Sequence, residues 1–174
     1  MMSDQLLIKD KTFTSRLLLG TGKFSSPELM KKTIKAAESE IITTAIRRVN
    51  LEDHNEDPFI SIINPKEYLF LPNTSGARNA EEAIRIARIG KFSGVSNWVK
   101  LEISPEPNHL IPDPIETLKA AEILVKEGFI VLPYINADPI IAKRLEECGC
   151  ATVMPLGSPI GSNKGIKTKE LIEI

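Results

Sequence analysis

A lysine and a glutamate lie two residues apart in the segment NWVKLEISP. Alternation along a β-strand places Lys100 and Glu102 on one face, together with Trp98, the only tryptophan of the chain. The opposite face is apolar and consists of Val99, Leu101 and Ile103. A desolvated lysine can attack a carbonyl carbon as a free amine and form a Schiff base, and a nearby carboxylate can carry protons to and from the imine carbons. Lys100 and Glu102 are therefore a candidate catalytic pair.

The alternative is a solvated strand face on which Lys100 and Glu102 form a weak ion pair. An antiparallel edge strand would allow that, since such sheets often leave one face in water. In a parallel sheet both faces are normally covered, and burial of an isolated charge is costly. The architecture around this strand therefore decides between the two interpretations.

Apolar runs alternate with amphipathic segments almost throughout the chain. We predict strands over Arg16–Gly20, Ile41–Ile46, Tyr68–Pro72, Trp98–Ile103, Phe129–Tyr134 and Ala151–Leu156. We predict helices over Pro27–Ala37, Ala80–Ile89, Pro114–Lys126 and Pro139–Cys148, and a further helix that begins near Lys167. A strand followed by a helix, repeated, is typical of a parallel sheet built from βα units.

Two of the predicted helices carry clear start signals. Asp113 and Asp138 each precede a proline at the first helical position, where the missing N–H costs nothing. Glu116, three residues after Asp113, predicts a capping box.

Three apolar runs end in FLP, VLP and VMP, and polar or glycine-rich turns follow them. The strands thus end at one rim, where parallel βα folds bind ligands. In LPNTSG, Asn73 and Thr74 can bind ligand hydroxyls or can simply form a cap and a turn. The loop GSPIGSNKG, Gly157–Gly165, favours a backbone nest for phosphate with Ser162 and Asn163 as further donors, although a flexible surface loop is the alternative.

Composition indicates one soluble globular domain over residues 1–174. Hydrophobic residues make up 42% and charged residues 26%, and the formal net charge is -1. This balance gives no signal for nucleic acid or an anionic membrane, and the aromatic content of 5% disfavours stacking on single strands. No run approaches the roughly 20 apolar residues of a membrane span.

Several short segments contain residue types that occur in catalytic or metal sites, but a structural explanation suits each of them better. GTGKF lacks the spacing and the final Ser/Thr of a phosphate-binding P-loop, which favours a tight turn. LEDHNED, Leu51–Asp57, has ligand-type residues without metal-site spacing, which favours a solvated loop. Cys148 and Cys150 have one intervening residue, not the two of redox or zinc motifs. His109 follows a proline-rich turn and is predicted to lie at the surface.

Taken together, the chain resembles the bacterial and plastid thiazole synthases, which build the thiazole phosphate of thiamine. The resemblance covers essentially all of these residues. It is carried by GTGKF, AIRRVNLEDHN, LPNTSGARNAEEAIR, NWVKLEI, LIPDPIETLKAAEILVKEGF, VLPYINADP and VMPLGSPIGSNKG.

The resemblance implies a (β/α)8 TIM barrel with about six of its eight units in this chain. It implies that 1-deoxy-D-xylulose 5-phosphate forms a Schiff base with Lys100, that Glu102 transfers protons, and that Gly161 lies on the phosphate side of its loop. The sulfur comes from a thiocarboxylated, ubiquitin-like sulfur-carrier protein, and dehydroglycine supplies the remaining C–N unit. No metal or redox cofactor is implied. A homo-oligomer in the cytoplasm, or in the plastid stroma, is expected.

The family continues with two further strands, whose VDAGIG-type and NTAI-type turns lie outside these 174 residues. We expect a six-strand piece alone to be inactive and poorly folded, because its sheet would expose two edges. Alternatively, the residues are part of a longer protein. Two other functions stay open: another aldolase-type Schiff-base barrel, and a non-catalytic module that binds the carrier protein.

Overall fold

The computed structural model describes residues 4–48, 63–94 and 96–174. An antiparallel hairpin of β1 (Leu6–Ile8) and β2 (Lys11–Phe13) comes first. Six parallel strands follow and pair in chain order: β3 (Leu18–Gly20), β4 (Ile41–Ala45), β5 (Leu69–Asn73), β6 (Trp98–Leu101), β7 (Ile130–Ile135) and β8 (Met154–Pro155). The helices of the described residues are α1 (Pro27–Ala37), α2 (Ala80–Phe92), α3 (Pro114–Lys126), α4 (Pro139–Glu147) and α5 (Lys169–Glu173), with a 3-10 turn over Ile46–Arg48.

The predicted succession of strands and helices is confirmed, and the sheet is parallel throughout. Four strands are shorter than predicted. The ladder of β3 begins at Leu18, that of β4 ends at Ala45, that of β6 ends at Leu101, and β8 keeps only two residues. The hairpin of β1 and β2 was not predicted.

The sheet curls into a parallel half-barrel, consistent with part of a TIM-like barrel. Its outer face packs against the helices, because Val99 and Leu101 of β6 share a buried cluster with Ala83, Ala120 and Leu124. The inner face forms a second apolar cluster. That cluster consists of Ile8, Phe13, Ile41, Leu71, Trp98 and Leu132. The predicted division of β6 into two faces is thereby confirmed.

The hairpin closes the lower end of the curled sheet. Phe13, at the end of β2, meets Trp98 edge to face with ring centroids 6.4 Å apart and an interplanar angle of 88°. Both side chains are almost fully buried. Trp98 therefore fills an apolar floor of the half-barrel.

The caps of α3 and α4 are confirmed, but the predicted capping box is wrong. Asp113 accepts hydrogen bonds from the N–H groups of Ile115 and Glu116. Its own N–H donates to the carbonyl of Ile103, so it leaves nothing for the Glu116 carboxylate. That carboxylate instead accepts the N–H of Ala80, the first residue of α2, at 2.7 Å. Glu116 therefore joins two helices that are neighbours in space.

Candidate active site

Lys100 and Glu102 form a close ion pair on the inner face of the sheet. Lys100 Nζ lies 2.6 Å from Glu102 Oε1, and the two side chains are 21% and 16% exposed. Successive inward residues of a strand are about 7 Å apart, which places Lys100 one level above Trp98 and Glu102 one level higher. A pair this sheltered, in a parallel sheet, does not fit the solvated-face alternative.

Thr74 holds the strand end that carries the pair. Only one residue pair, Asn73 and Lys100, is in register between β5 and β6, and beyond it the ladder opens. Thr74 fills the gap: its N–H donates to the carbonyl of Lys100, and its hydroxyl accepts the N–H of Glu102 and donates to the Glu102 carbonyl, both at 2.8 Å. The side chain is fully buried. Its predicted contact with a ligand stays a prediction, since Glu102 occupies the hydroxyl in this structure.

Asn73 lies on the same rim and shapes the turn after β5. Its Oδ1 accepts the N–H of Ser75 at 3.1 Å, and its Nδ2 donates to Thr43 Oγ1 at 3.3 Å. The amide thus ties the rim of β5 to that of β4. Direct binding of a ligand by Asn73 remains a prediction.

Tyr134 belongs to the site and was missed by sequence reasoning. Lys100 Nζ lies 5.8 Å from the centroid of its ring, and its hydroxyl donates to the carbonyl of Leu110 at 3.2 Å. Burial raises the pKa of Tyr134, and the negative charge of Glu102 raises that pKa further. The signal was available, because Tyr134 follows Leu132 at the spacing of inward residues on β7.

A cavity of about 420 Å³ opens beside the pair. Glu102 and Tyr134 line its inner side, and the turn after β5 contributes Ser75 and Gly76. Ile160, from the loop Gly157–Gly165, also reaches it. The cavity thus joins the carboxylate of the pair to the loop that was predicted to bind phosphate.

The loop Gly157–Gly165 follows β8 directly and closes on itself. The N–H of Lys167 donates to the carbonyl of Gly157 at 2.7 Å, and the hydroxyl of Ser158 donates to the carbonyl of Gly165. Gly161 and Asn163 both have positive φ, 78° and 53°. Such left-handed residues turn backbone N–H groups into a concavity that suits an anion.

Ser162, between these two residues, has a buried hydroxyl oxygen without a hydrogen-bond partner in the described part of the chain. Buried polar atoms are nearly always paired, so this hydroxyl is available to a ligand oxygen or to a water. Gly161, Ser162 and Asn163 are therefore together on a loop whose geometry suits phosphate.

The remaining candidates lie elsewhere. His109 is exposed and pairs with Glu106 at 2.7 Å. Cys148 and Cys150 are free thiols at the end of α4, with sulfurs 3.7 Å apart, and burial raises the pKa of Cys150. Leu51–Asp57 lies outside the described residues. Within the described ranges, no group of three or more potential ligands could hold a metal ion, and no helix is long and apolar enough to cross a membrane.

The family is settled by comparison with known proteins. A family model described as thiazole biosynthesis protein ThiG matches residues 7–174. The chain belongs to the thiazole synthase family. This family member is 63% identical over 173 residues to a thiazole synthase of Syntrophobacter fumaroxidans, covering 99% of this chain and 67% of that relative. It is 58% identical over 173 residues to a thiazole synthase of Cytophaga hutchinsonii, with coverage of 99% and 67%.

The resemblance seen in the sequence is thereby confirmed, and the chain spans about two thirds of the length of these relatives. Among solved structures, the family member is similar to a crystal structure of the BexX/CysO complex of Amycolatopsis orientalis. The TM-score is 0.77 and the sequence identity 30%, with coverage of 97% of this chain and 70% of that one.

Proposed function

We propose that the protein acts as a thiazole synthase. It would join 1-deoxy-D-xylulose 5-phosphate, dehydroglycine and a sulfur atom from a thiocarboxylated carrier protein into the thiazole phosphate of thiamine. One observation carries this proposal beyond family membership: a lysine and a carboxylate 2.6 Å apart, sheltered on the inner face of a parallel sheet, beside a cavity.

The pair supports imine chemistry on the ketone of the sugar phosphate. The amine of Lys100 adds to the carbonyl carbon, the resulting carbinolamine loses water, and a C=N bond replaces the C=O bond. Glu102 receives the proton that Lys100 must lose before it attacks. Glu102 can then return a proton to the departing hydroxyl and remove one from the carbon next to the imine.

The loop Gly157–Gly165 would hold the phosphate of the same substrate. The positive φ values of Gly161 and Asn163 and the orphaned hydroxyl of Ser162 support this assignment. Ile160 of the loop lines the cavity that Glu102 also lines. One sugar chain could therefore place its phosphate at the loop and its ketone at Lys100. Asn73, on the same rim, would contact the sugar hydroxyls after exchanging one of its present hydrogen-bond partners.

The half-barrel would be part of a complete (β/α)8 barrel, and the protein would bind a ubiquitin-like carrier. The similar structure is a complex of two proteins, BexX and CysO, which supports a partner on this fold. Homo-oligomerisation and a cytoplasmic or stromal location remain predictions.

Borohydride trapping tests the proposal. The protein is incubated with 1-deoxy-D-xylulose 5-phosphate, reduced, digested and analysed by mass spectrometry. We expect one sugar-phosphate adduct on the peptide that contains Lys100, its loss in Lys100→Ala, and its retention in Lys119→Ala, whose lysine is exposed on α3. No adduct in the unmodified protein, or an adduct that persists in Lys100→Ala, would overturn the proposal.

The two alternative functions give different results in the same experiment. An aldolase-type barrel would use Lys100 on a different sugar phosphate and would show no affinity for a thiocarboxylated carrier. A non-catalytic module would bind the carrier without forming the adduct. A pull-down with the carrier, run beside the trapping experiment, therefore separates all three.

A further inference from the structure

Three arginines line the cavity beside Glu102, and none of them forms an ion pair with another described residue. Arg47 follows β4, Arg78 precedes α2, and Arg85 lies on α2. None of the ion pairs in the described part of the chain involves their guanidinium groups. The three guanidinium groups outnumber the two carboxylates of the lining, Glu82 and Glu102. A guanidinium fork matches a carboxylate or a phosphate with two parallel hydrogen bonds.

The guanidinium group of Arg47 occupies space that is open only because residue 76 is a glycine. Gly76 has φ +89°, and a Cβ built on it would fall 1.2 Å from Nη2 of Arg47 and 2.2 Å from its Cζ. The guanidinium therefore rests directly over the backbone of Gly76, in the turn that follows Thr74. A residue with any side chain at this position would have to displace Arg47 and adopt a strained backbone. The glycine in NTSGARN thus serves the placement of an arginine that follows the preceding strand, β4.

The choice of anion follows from the chemistry of the reactants. The sugar phosphate has its own candidate loop at Gly157–Gly165. Dehydroglycine brings a second small anion, a carboxylate with an imine on the neighbouring carbon. The cavity of about 420 Å³ is of a size for small molecules, and Glu102 lines it.

We propose that Arg47, supported by Arg78 and Arg85, binds the carboxylate of dehydroglycine and points its imine toward Glu102. This inference rests on the proposed function, because it takes its ligand from the proposed reaction. It assigns a specificity role to Arg47 and explains why Gly76 must lack a side chain.

Oxamate provides the test, since it keeps the carboxylate and the planar neighbouring carbon of dehydroglycine but does not form an imine. Its dissociation constant is measured by calorimetry for the unmodified protein, Arg47→Met and Gly76→Ala. We expect binding to weaken at least tenfold in both variants, although Gly76→Ala removes no charge. Arg88→Met is the matched control, because Arg88 is paired with Glu127 outside the cavity. Propanamide, which lacks the carboxylate, should not bind. Thermal melts establish that each variant is folded.

Each possible result has a defined meaning. Unchanged oxamate affinity in Arg47→Met overturns the inference. Loss of the borohydride adduct at Lys100 in Arg47→Met, with oxamate affinity retained, would assign the arginines to the sugar phosphate and also overturn it. If Arg47→Met weakens only the binding of the carrier protein, the arginines belong to the carrier site. That result would also overturn the inference. If the unmodified protein binds oxamate through Arg47 but forms no adduct, the proposed function fails while the carboxylate site stands.

Discussion

Thr74 and Glu102 are joined through a single hydroxyl, which accepts the N–H of Glu102 and donates to its carbonyl, each at 2.8 Å. A side chain thereby replaces ladder bonds at the point where β5 and β6 separate. The carboxylate of Glu102 depends on that backbone for its position near Lys100.

Removal of this hydroxyl should misplace Glu102. In Thr74→Val, which keeps the shape of the side chain, we expect the rate of adduct formation at Lys100 to fall about ten- to a hundredfold. The loss should appear in the rate at saturating sugar phosphate more than in the concentration that gives half saturation. Adduct formation is stopped with borohydride at timed intervals and at several concentrations of sugar phosphate. This measures both the rate at saturation and the concentration that gives half saturation.

Thr74→Ser separates positioning from mere stability. It keeps the hydroxyl and loses only a methyl group, so we expect near-normal trapping kinetics even if the melting temperature falls. Equal loss of rate in the serine and valine variants would contradict the positioning role.

Tyr134 should report the charge of Glu102. Burial is the main reason why the pKa of Tyr134 is raised, and the Glu102 carboxylate adds to it. Glu102→Gln removes the charge at nearly constant size, so the tyrosinate absorbance should titrate at lower pH, still above the usual value of about 10. The signal of Tyr134 is obtained by subtracting the titration of Tyr134→Phe. An unmoved midpoint would mean that Glu102 does not face the ring.

The same shift has a consequence for stability in alkali. The pKa of Tyr134 is raised in the folded state. Its neutral phenol therefore contributes fully to stability below about pH 10, and this contribution is lost as the pH rises through the folded-state pKa. The melting temperature should therefore fall less steeply with alkaline pH in Tyr134→Phe than in the unmodified protein. Parallel curves for the two proteins would refute this linkage.

Glu116 should stabilise the junction of α2 and α3. Its carboxylate accepts the N–H of Ala80, a residue with no exposed surface. Glu116→Ala leaves that N–H unpaired, and we expect the free energy of unfolding to fall by about 1–3 kcal/mol. Urea unfolding measures the change. Lys119→Ala is the control, since its ammonium lies 3.8 Å from Glu116 and is largely exposed, so the loss should stay below about 1 kcal/mol.

Glu106 should titrate in strong acid although it lies at the surface. The N–H groups of Asn108 and His109 donate to its carboxylate and lower its pKa to about 2. The ionised carboxylate of Glu106 therefore stabilises the turn fully at pH values above its ordinary pKa of about 4.3. This stabilisation is lost as the pH falls toward about 2. Carboxyl chemical shifts from NMR follow the titration directly.

His109→Ala provides the control for this titration. The variant keeps both backbone donors and loses only the imidazole, so the pKa of Glu106 should remain well below its ordinary value. A midpoint near the ordinary value in the unmodified protein would show that the turn is not formed in solution.

Local signals were sufficient for the starts of α1 to α4 and for the faces of β6. The bounds of α1 and α3 agree with the sequence at both ends, because a capping side chain and a proline fix each start. The alternation in WVKLE likewise predicted which side chains enter the half-barrel, since the period of a strand leaves only two choices.

Features that depend on contacts distant in sequence could not be predicted. The strands β1 and β2 have three residues each, and their burial depends on packing against Trp98. The partner of Glu116 lies 36 residues away, so a local capping rule gave the wrong answer. The contact between Arg47 and Gly76 also could not be predicted from the sequence, because only the fold brings the turn after β4 and the turn after β5 together.

The aromatic floor closes one end of the half-barrel. Phe13 and Trp98 are packed together below Lys100, so no molecule reaches this lysine through that end. If the proposed function holds, a sugar phosphate bonded to Lys100 would lie directly above the floor. Any further reactant would then have to meet it from the side of the strand ends.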